Sequence, residues 1–322
     1  EGFNYLRYPL TTSGFQFLQA LSIAEQRDVV TGTPAEWIMP LYVTHLVPGC
    51  RGRGPYLPFF GLSYPVTGGD VTGFEQFFER TRWRSGDMVM GLGSASPACR
   101  PAVVWTIRNG FVPERDATFD VYKPADAVYA LANLARCRNL RPCNPADMLP
   151  HALSDTRLGY FVYRKQWSDE SDFIAAITVN ADPRPGTYSF QDAGSFRIHG
   201  LGTRWADQAS RRDRGWAREF NINRAIENVV QIPGTNGWPG GKVVSHASRP
   251  DGSGTVHMDI SAAYSAGDSL KDARPAGITA RRSFAVDYSG TAGCPGVFVI
   301  HDRFSGVGDK TWTMHTAGTP RI

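Results

Sequence analysis

Three short runs in the second half of the chain decide the fold: Tyr160-Phe-Val-Tyr163, Phe173-Ile-Ala-Ala-Ile177 and Ser195-Phe-Arg-Ile198. Aromatic and β-branched residues recur in these runs, which predicts β-strands. Turns rich in Gly, Pro and Asp separate the runs. Further strands are predicted on the same grounds at 229–232, 256–260, 283–286 and 297–300. Short strands with turn signals between them are typical of an antiparallel β-sandwich.

The chain before about residue 150 has helical periodicity instead. Phe15, Leu18 and Leu21 form an apolar stripe that predicts a helix ended by Gly32 and Pro34. We predict further helices at 37–46 with a kink at Pro40, at 74–83 with an end near Gly86, at 102–107 and at 125–135. They would form a helical toroid or bundle. Helices followed by strands indicate the α+β class. We therefore predict two domains, residues 1–150 and 151–322, with a Pro-rich boundary near 145–151.

Composition excludes few classes of protein. The 322 residues are 42% hydrophobic and 20% charged, which is ordinary for a globular chain and enough for a sizeable core. The net charge of +4 permits an anionic partner without requiring nucleic acid. No apolar run approaches the roughly 20 residues that span a bilayer, so we expect no membrane partner. The start at Glu1, without Met or an apolar leader, leads us to expect a processed or truncated chain.

The cysteines leave two interpretations open. There are five, none in a CxxC pair, and no Cys/His spacing resembles a zinc finger. Disulfides between Cys137 and Cys143 and between Cys50 and Cys99 would leave Cys294 over. The alternative is five reduced thiols.

Several blocks of the sequence together resemble one enzyme family, the heparinase II/III-like polysaccharide lyases. Leu158-Gly-Tyr-Phe-Val-Tyr-Arg164 with Trp167 is similar to the strand that opens the family's β-sandwich. The similarity continues at 192–196, 200–207, 228–232, 259–264, 281–282 and 299–303. At the other end, Glu1-Gly-Phe-Asn-Tyr-Leu-Arg-Tyr8 resembles a toroid helix that carries a catalytic tyrosine.

The resemblance implies a fold, a reaction and a missing part. The fold would be the last helices of an (α/α) toroid followed by a large antiparallel β-sandwich, with an upstream polypeptide of the same protein absent. The reaction would be β-elimination of a uronic-acid-containing polysaccharide in the cleft between the two parts. This reaction needs a group that neutralises the uronate carboxylate, a base that takes the adjacent proton, and an acid for the leaving oxygen.

Four residues are candidates for proton transfer. Carry-over of the toroid motif points to Tyr5, with Tyr8 as the alternative register. The family's His-x-His-x-Asp arrangement falls on Tyr188, Phe190 and Asp192, so both histidines are replaced and Tyr188 becomes a candidate proton donor. His199 could contact a carboxylate, or it could be an exposed strand residue.

Arginines and tryptophans concentrate between residues 204 and 224. Guanidinium groups bind carboxylates and sulfates in bidentate fashion, and indole rings stack on sugars. We therefore predict binding of an anionic polysaccharide or oligosaccharide, and the predicted substrate-binding residues are Arg204, Trp205, Trp216, Arg224 and Asn228. A solvated loop with its own acids is the alternative. No nucleic-acid-binding fold accompanies the segment, so we expect no nucleic acid partner.

No cofactor is required by this interpretation. In zinc-containing members of the family, three ligands would fall on positions that read Phe190, Asp207 and Glu227. Only Asp207 and Glu227 could remain as ligands of a structural divalent metal, zinc or calcium, and two carboxylates do not make a zinc site.

The leading hypothesis is a secreted or periplasmic polysaccharide lyase. A uronate epimerase would share the proton abstraction without loss of the leaving group. A non-catalytic glycan-binding or structural fragment is favoured by the replaced histidines. A glycoside hydrolase would need two carboxylates facing one bond, and no convincing pair is evident.

Overall fold

The computed structural model describes residues 13–45, 85–110, 124–167, 172–181, 192–206, 227–235, 240–267, 271–306 and 308–316. In the described residues, helices precede strands along the chain, which confirms the predicted α+β class. The helices are α1 (Phe15–Ala24), α2 (Ile38–His45), α3 (Ser85–Ser94), α4 (Arg100–Gly110) and α5 (Pro124–Arg136). Short 3-10 helices occupy Pro34–Trp37, Pro145–Asp147 and Ser261–Ala263. The domain boundary near residue 150 stays a prediction.

Helix α3 differs from the sequence prediction. Residues 74–83 lie outside the described residues, and the helix that was expected to end near Gly86 instead runs over Ser85–Ser94. Its glycines serve packing: a Cβ at Gly91 would lie 2.3 Å from the Met39 sulfur, and one at Gly93 would lie 2.5 Å from Asn133 Oδ1. The helices α4 and α5 lie where the sequence predicts them, whereas α1 begins in the predicted stripe but ends at Ala24, before the predicted end at Gly32 and Pro34.

The first sheet has five antiparallel strands in chain order. They are β1 (Ala152–Asp155), β2 (Tyr160–Arg164), β3 (Ile174–Thr178), β4 (Phe196–Gly200) and β5 (Thr203–Ala206). The central strands β2, β3 and β4 are buried at every position. Their aromatic and β-branched composition is that of a sheet covered on both faces.

The second sheet has four antiparallel strands in the order β12-β11-β8-β7. Its members are β7 (Lys242–Ser248), β8 (Gly254–Asp259), β11 (Thr279–Asp287) and β12 (Val297–Ser305). Burial alternates along β8 and β11, so one face packs and the other meets solvent. Two-stranded pairs join β6 (Val230–Gln231) to β13 (Thr311–Trp312) and β9 (Ser265–Ala266) to β10 (Arg274–Pro275).

The two larger sheets share one hydrophobic core. Phe161 and Phe196 from the five-stranded sheet lie in the same cluster as Val256 and Phe284 from the four-stranded sheet. The rings of Phe196 and Phe284 are 5.7 Å apart between centroids. Arg282 joins the sheets with polar contacts: it pairs with Asp302 on β12, and its Nη1 donates to the carbonyl oxygen of Gly194 at 2.6 Å.

The helices form a separate core that meets the five-stranded sheet at one place. Phe15, Met39 and Val103 belong to this helical cluster, and Trp167 joins it from just beyond β2. The indole nitrogen of Trp167 donates to the carbonyl oxygen of Val43 at 3.0 Å. The α2 segment therefore docks at the end of β2.

The cysteine interpretations are decided in part. Cys99, Cys137, Cys143 and Cys294 are free thiols, so the predicted pairings Cys137–Cys143 and Cys50–Cys99 are wrong. Cys137 and Cys143 contact different parts of the chain. The Cys143 amide donates to the Pro101 carbonyl oxygen, whereas Cys137 packs on the helical core. Burial raises the pKa of the Cys99 thiol to about 12.

Within the described part of the chain, no helix is long and apolar enough to span a membrane.

Candidate functional site

The second face of the five-stranded sheet carries or adjoins the described candidate residues. Strand alternation places Phe196 and Ile198 of β4 in the shared core and directs Arg197 and His199 to the opposite face. We call this opposite face the helix-side face, because Arg164 on it contacts α2. Its members on the central strands are Tyr160, Val162, Arg164, Ile174, Ala176, Arg197 and His199.

A buried ion pair lies at the β4 side of this face. Arg197 Nη2 donates to Glu227 Oε2 at 2.8 Å, and both side chains are buried. The Ser195 hydroxyl donates to the same Glu227 oxygen at 2.7 Å and accepts from Arg197 Nη1 at 2.8 Å. Burial is compatible with two charges only when they pair and form further hydrogen bonds, and this cluster satisfies both conditions.

Hydrogen bonds hold Asn228 in place, and two of them join its side chain to backbone groups. Its Nδ2 donates to the Phe196 carbonyl oxygen at 2.7 Å, and its Oδ1 accepts from the His315 amide at 2.7 Å. Its own amide donates to the Ser195 hydroxyl at 3.2 Å. The predicted substrate-binding role of Asn228 has not been tested. Through these two bonds the Asn228 side chain joins β4 to the segment that follows β13.

His199 is buried in β4, so its interpretation as an exposed strand residue is wrong. Its Cα partners are Ile174 on β3 and Arg204 on β5, which puts the three positions in one row of the helix-side face. Its predicted catalytic role stays a prediction.

A β-bulge in β5 exposes the side chain of Trp205. Ile198 pairs with Ala206 and His199 pairs with Arg204, so Trp205 is the extra residue of a bulge on an edge strand. Its indole nitrogen donates to the Gly200 carbonyl oxygen at 2.9 Å, while its side chain is 48% exposed. Bulges on edge strands re-aim side chains, and here the result is a fixed, accessible indole ring beside the His199 row.

Arg164 connects the helix-side face to the helices. Its Nε donates to Asp172 Oδ2 at 2.9 Å, and its Nη1 donates to the Thr44 carbonyl oxygen at 2.9 Å. Burial raises the pKa of Asp172, although the guanidinium of Arg164 acts in the opposite direction. The helices therefore stand over the Arg164 end of the face, on the same side as His199.

Tyr160 is a titratable residue of this face that the sequence interpretation treated only as part of a strand. Burial raises its pKa above the ordinary value; the charge of Arg197 opposes this and the charge of Asp192 adds to it. The phenol therefore keeps its proton near neutral pH. Arg197 was missed for a different reason, because its partner Glu227 is distant in sequence and no local pattern marks the pair.

The remaining predicted residues lie outside the described residues. These are the proton-transfer candidates Tyr5, Tyr8 and Tyr188, the binding candidates Trp216 and Arg224, and the metal candidate Asp207. Arg204 is described in its backbone alone, within β5.

The described residues do not fit a metal ion. The carboxylate of Glu227 is already bound by Arg197 and Ser195. No group of three His, Cys, Asp or Glu residues with the geometry to hold a metal occurs in the described ranges. We therefore derive no chemical step through a metal.

Comparison with known proteins finds similarity only among solved structures. No protein-family model and no curated protein matches the chain. A heparinase III crystal structure matches with a TM-score of 0.39 at 14% identity, over 84% of this chain and 37% of that one. Two structures of a heparinase III gene product, one with methylated lysines, match with TM-scores of 0.36 at 14% and 15% identity. They cover 69% and 84% of this chain, which spans 36% and 41% of their length.

Proposed function

We propose that this chain is part of a polysaccharide lyase that cuts a uronic-acid-containing glycan by β-elimination. The observation that carries the proposal is the β5 bulge, which fixes the Trp205 ring in an accessible position next to the row of Arg204 and His199. An indole ring can stack on a sugar face and an arginine can bind a carboxylate, so the two groups together suit a uronate. The sequence resemblance described above supports the same reaction.

The proposed fold is the end of an (α/α) toroid standing against a β-sandwich. Two sheets with a shared core support the sandwich, and the contact of Arg164 with α2 supports a cleft on the helix-side face. Apolar side chains on the outside of the helices support a larger helical body: Phe17 on α1 and Val128 and Leu131 on α5 are exposed.

In the proposed reaction, a uronate ring stacks on Trp205 and its carboxylate meets Arg204, in the row that also holds the buried His199. Neutralisation of the carboxylate makes the adjacent carbon acidic enough for a base to remove its proton. Tyr5, with Tyr8 as the alternative, is proposed as that base, and Tyr188 as the acid for the leaving oxygen. The bond between the ring and the leaving oxygen breaks as the carbon–carbon double bond forms. The proposed reaction requires no metal, and the protein is proposed to be secreted or periplasmic.

The test is an assay for the unsaturated uronate product. The natural protein that contains this sequence is incubated with alginate, glucuronan, heparin, chondroitin and hyaluronan, and ultraviolet absorbance of the new double bond is followed. Trp205→Ala should raise KM by about tenfold, the equivalent of about 1.4 kcal/mol. Trp312→Ala is the matched control, because Trp312 is 47% exposed but lies on β13. No product from any uronate polymer would exclude the lyase.

The proton-transfer residues are assigned in the same assay. Tyr5→Phe, Tyr8→Phe and Tyr188→Phe are compared, and the base should be the one whose loss lowers kcat by about a hundredfold or more. Exchange of the proton beside the carboxylate without cleavage would indicate an epimerase instead. The engaged side chains of Glu227 and Asn228 favour a second candidate, a non-catalytic glycan-binding fragment. That function would show binding, unchanged by Tyr5→Phe, without turnover.

A further inference from the structure

The solvent face of the four-stranded sheet has an unusual distribution of charge. In β11, Phe284 and Val286 point into the shared core, so Arg281 and Ser283 point outward. We call this side the outer face. Its polar and charged members on the four strands are Lys242, Ser245, Thr255, His257, Asp259, Thr279, Arg281, Ser283, Asp287, His301, Arg303 and Ser305.

Strand register arranges these side chains in two rows that cross the sheet. The first row runs Lys242, Asp259, Arg281, Arg303, each directly opposite the next. The second row runs Ser245, His257, Ser283, His301. Adjacent strands are about 4.8 Å apart, so each row extends about 14 Å across the sheet.

The first row has an excess of positive charge. Arg281 and Arg303 are exposed and stand directly opposite each other, an arrangement that like charges disfavour. Its one carboxylate, Asp259, lies between Lys242 and Arg281, with its Oδ2 4.0 Å from Arg281 Nε. No acidic residue of the described ranges forms an ion pair with Arg303.

Other arginines on the strands of these sheets behave differently. Arg164 pairs with Asp172, Arg197 with Glu227, and Arg282 with Asp302. A solvated sheet face needs polar residues, but it does not need two arginines in opposition. An anion from outside the chain would remove that conflict.

The second row adds further hydrogen-bonding groups beside the charges of the first row. His257 Nδ1 and the Ser283 hydroxyl are 2.7 Å apart, and exposed His301 lies on the other side of Ser283. The two rows therefore offer cations on one side and donors and acceptors for hydroxyl groups on the other.

We propose that the outer face is a second binding surface, which holds a linear anionic polysaccharide across the strands. Arg281 and Arg303 would together bind one carboxylate or sulfate group, and Lys242 would bind another nearer β7. The serine and histidine row would contact sugar hydroxyls. A sugar ring along a chain is about as long as the strand spacing, so successive rings would meet successive strands. For the ligand class, this inference rests on the proposed function.

A polysaccharide suits this surface better than single-stranded nucleic acid. Proteins that bind single strands stack the bases on aromatic rings as well as contacting phosphates. The eight residues of the two rows include no Phe, Trp or Tyr. Sulfate or carboxylate groups with hydroxyls between them match cations beside a hydroxyl-binding row.

The experiment compares two double variants of the full chain. R281Q/R303Q removes two charges from the outer face, and R27Q/R138Q removes two exposed charges from the helical part. Binding of heparin, alginate and single-stranded DNA is measured by calorimetry. We expect the polysaccharide Kd to rise about tenfold in R281Q/R303Q and to stay within about twofold in R27Q/R138Q.

Three results would overturn the inference: an R281Q/R303Q affinity within twofold of the parent, an equal loss in both variants, or tighter binding of DNA than of either polysaccharide. Turnover of a short uronate oligosaccharide is measured in parallel and should be the same in R281Q/R303Q and the parent. A protein without any turnover would refute the proposed lyase, while the binding comparison would still decide the outer face.

Discussion

The helix-side face and the outer face are both β-sheet surfaces with arginines, but they treat charge in opposite ways. On the helix-side face, Arg164 and Arg197 are buried and each has a carboxylate partner. On the outer face, Arg281 and Arg303 are exposed and face each other. Burial requires that a charge be compensated within the chain, whereas solvent screens a charge that is not. Arginines therefore have a carboxylate partner where the chain buries them, and uncompensated charge is found where water or a ligand can reach the side chain.

The largest expected effect comes from breaking a pair on the helix-side face. Arg197→Met leaves the Glu227 carboxylate buried without its cation, which should lower the free energy of unfolding by about 3–5 kcal/mol. Urea unfolding measures the change. R197M/E227Q should recover part of the loss, because it removes the buried charge as well. A loss below 1 kcal/mol in R197M would mean that the pair is not buried as described.

The next effect concerns the contact between the two sheets. Gly252 lies in the β7–β8 hairpin with φ of +83°, and a Cβ there would be 1.9 Å from the Arg164 carbonyl oxygen. Gly252→Ala should cost about 2–4 kcal/mol, from the left-handed backbone and the clash together. Gly290→Ala is the control, with φ of +76° and open space around the new methyl group. It should cost about 1–2 kcal/mol. Equal losses in thermal unfolding would contradict the close approach.

A smaller effect comes from Asp259 on the outer face. Burial acts against its charge, but hydrogen bonds from Ser261 and the positive charges of Arg281 and Lys242 outweigh it, and its pKa lies below the ordinary value. A carboxylate with a depressed native pKa stabilises the fold above its ordinary pKa, and the contribution disappears as pH falls through the native value.

Asp259→Asn should therefore lose less than about 1 kcal/mol at neutral pH, because the group is largely solvated, and nothing at a pH below the native pKa. The free energy of unfolding of the parent and of Asp259→Asn is measured at neutral pH and at a pH below the native pKa. Asp309→Asn is the control, because Asp309 is exposed. An NMR titration in Arg281→Gln should show the Asp259 pKa moving up. An unchanged Asp259 pKa in this variant would show that Arg281 does not act on the Asp259 carboxylate.

The smallest effect should be a gain. Arg303→Thr removes one of two opposed like charges and places a β-branched residue on β12, so the free energy of unfolding should rise by a few tenths of a kcal/mol. Arg281→Thr is the matched substitution and should not gain, because it also loses the contact with Asp259. A clear loss in Arg303→Thr would show that Arg303 contributes to the fold.

The sequence predicts the buried strands well, because a strand that is buried on both faces is a continuous run of aromatic and β-branched residues. Strands β2, β3 and β4 coincide with aromatic and β-branched runs to within two residues at each end. The edge strands β1 and β7 were not predicted, since their exposed residues Ser154, Asp155 and Ser245 carry no such pattern. Helix α3 was missed because glycine disfavours helices, and only the tertiary contact of Gly91 with Met39 explains it.

The candidate site follows less from the sequence. The Arg204 and Trp205 pair was identified from residue type, and the structure adds the bulge that exposes the ring. His199 is buried because other parts of the chain pack over this face of the sheet. The period-two alternation predicts which face a residue lies on, but not whether that face is buried. The Arg197–Glu227 pair joins positions 30 residues apart through the fold, which no local pattern encodes.

Arg282 has a further consequence for how the β-strands come apart. It donates to the carbonyl oxygens of Gly194 and Asn228 while it pairs with Asp302. The Asn228 amide continues to Ser195, and Ser195 to Arg197 and Glu227. A continuous line of polar contacts thus crosses from one sheet through the core to the far side of the other. Neither sheet can open without breaking this line, so the two should unfold in one cooperative step, and their most protected amides should exchange with the same free energy of opening.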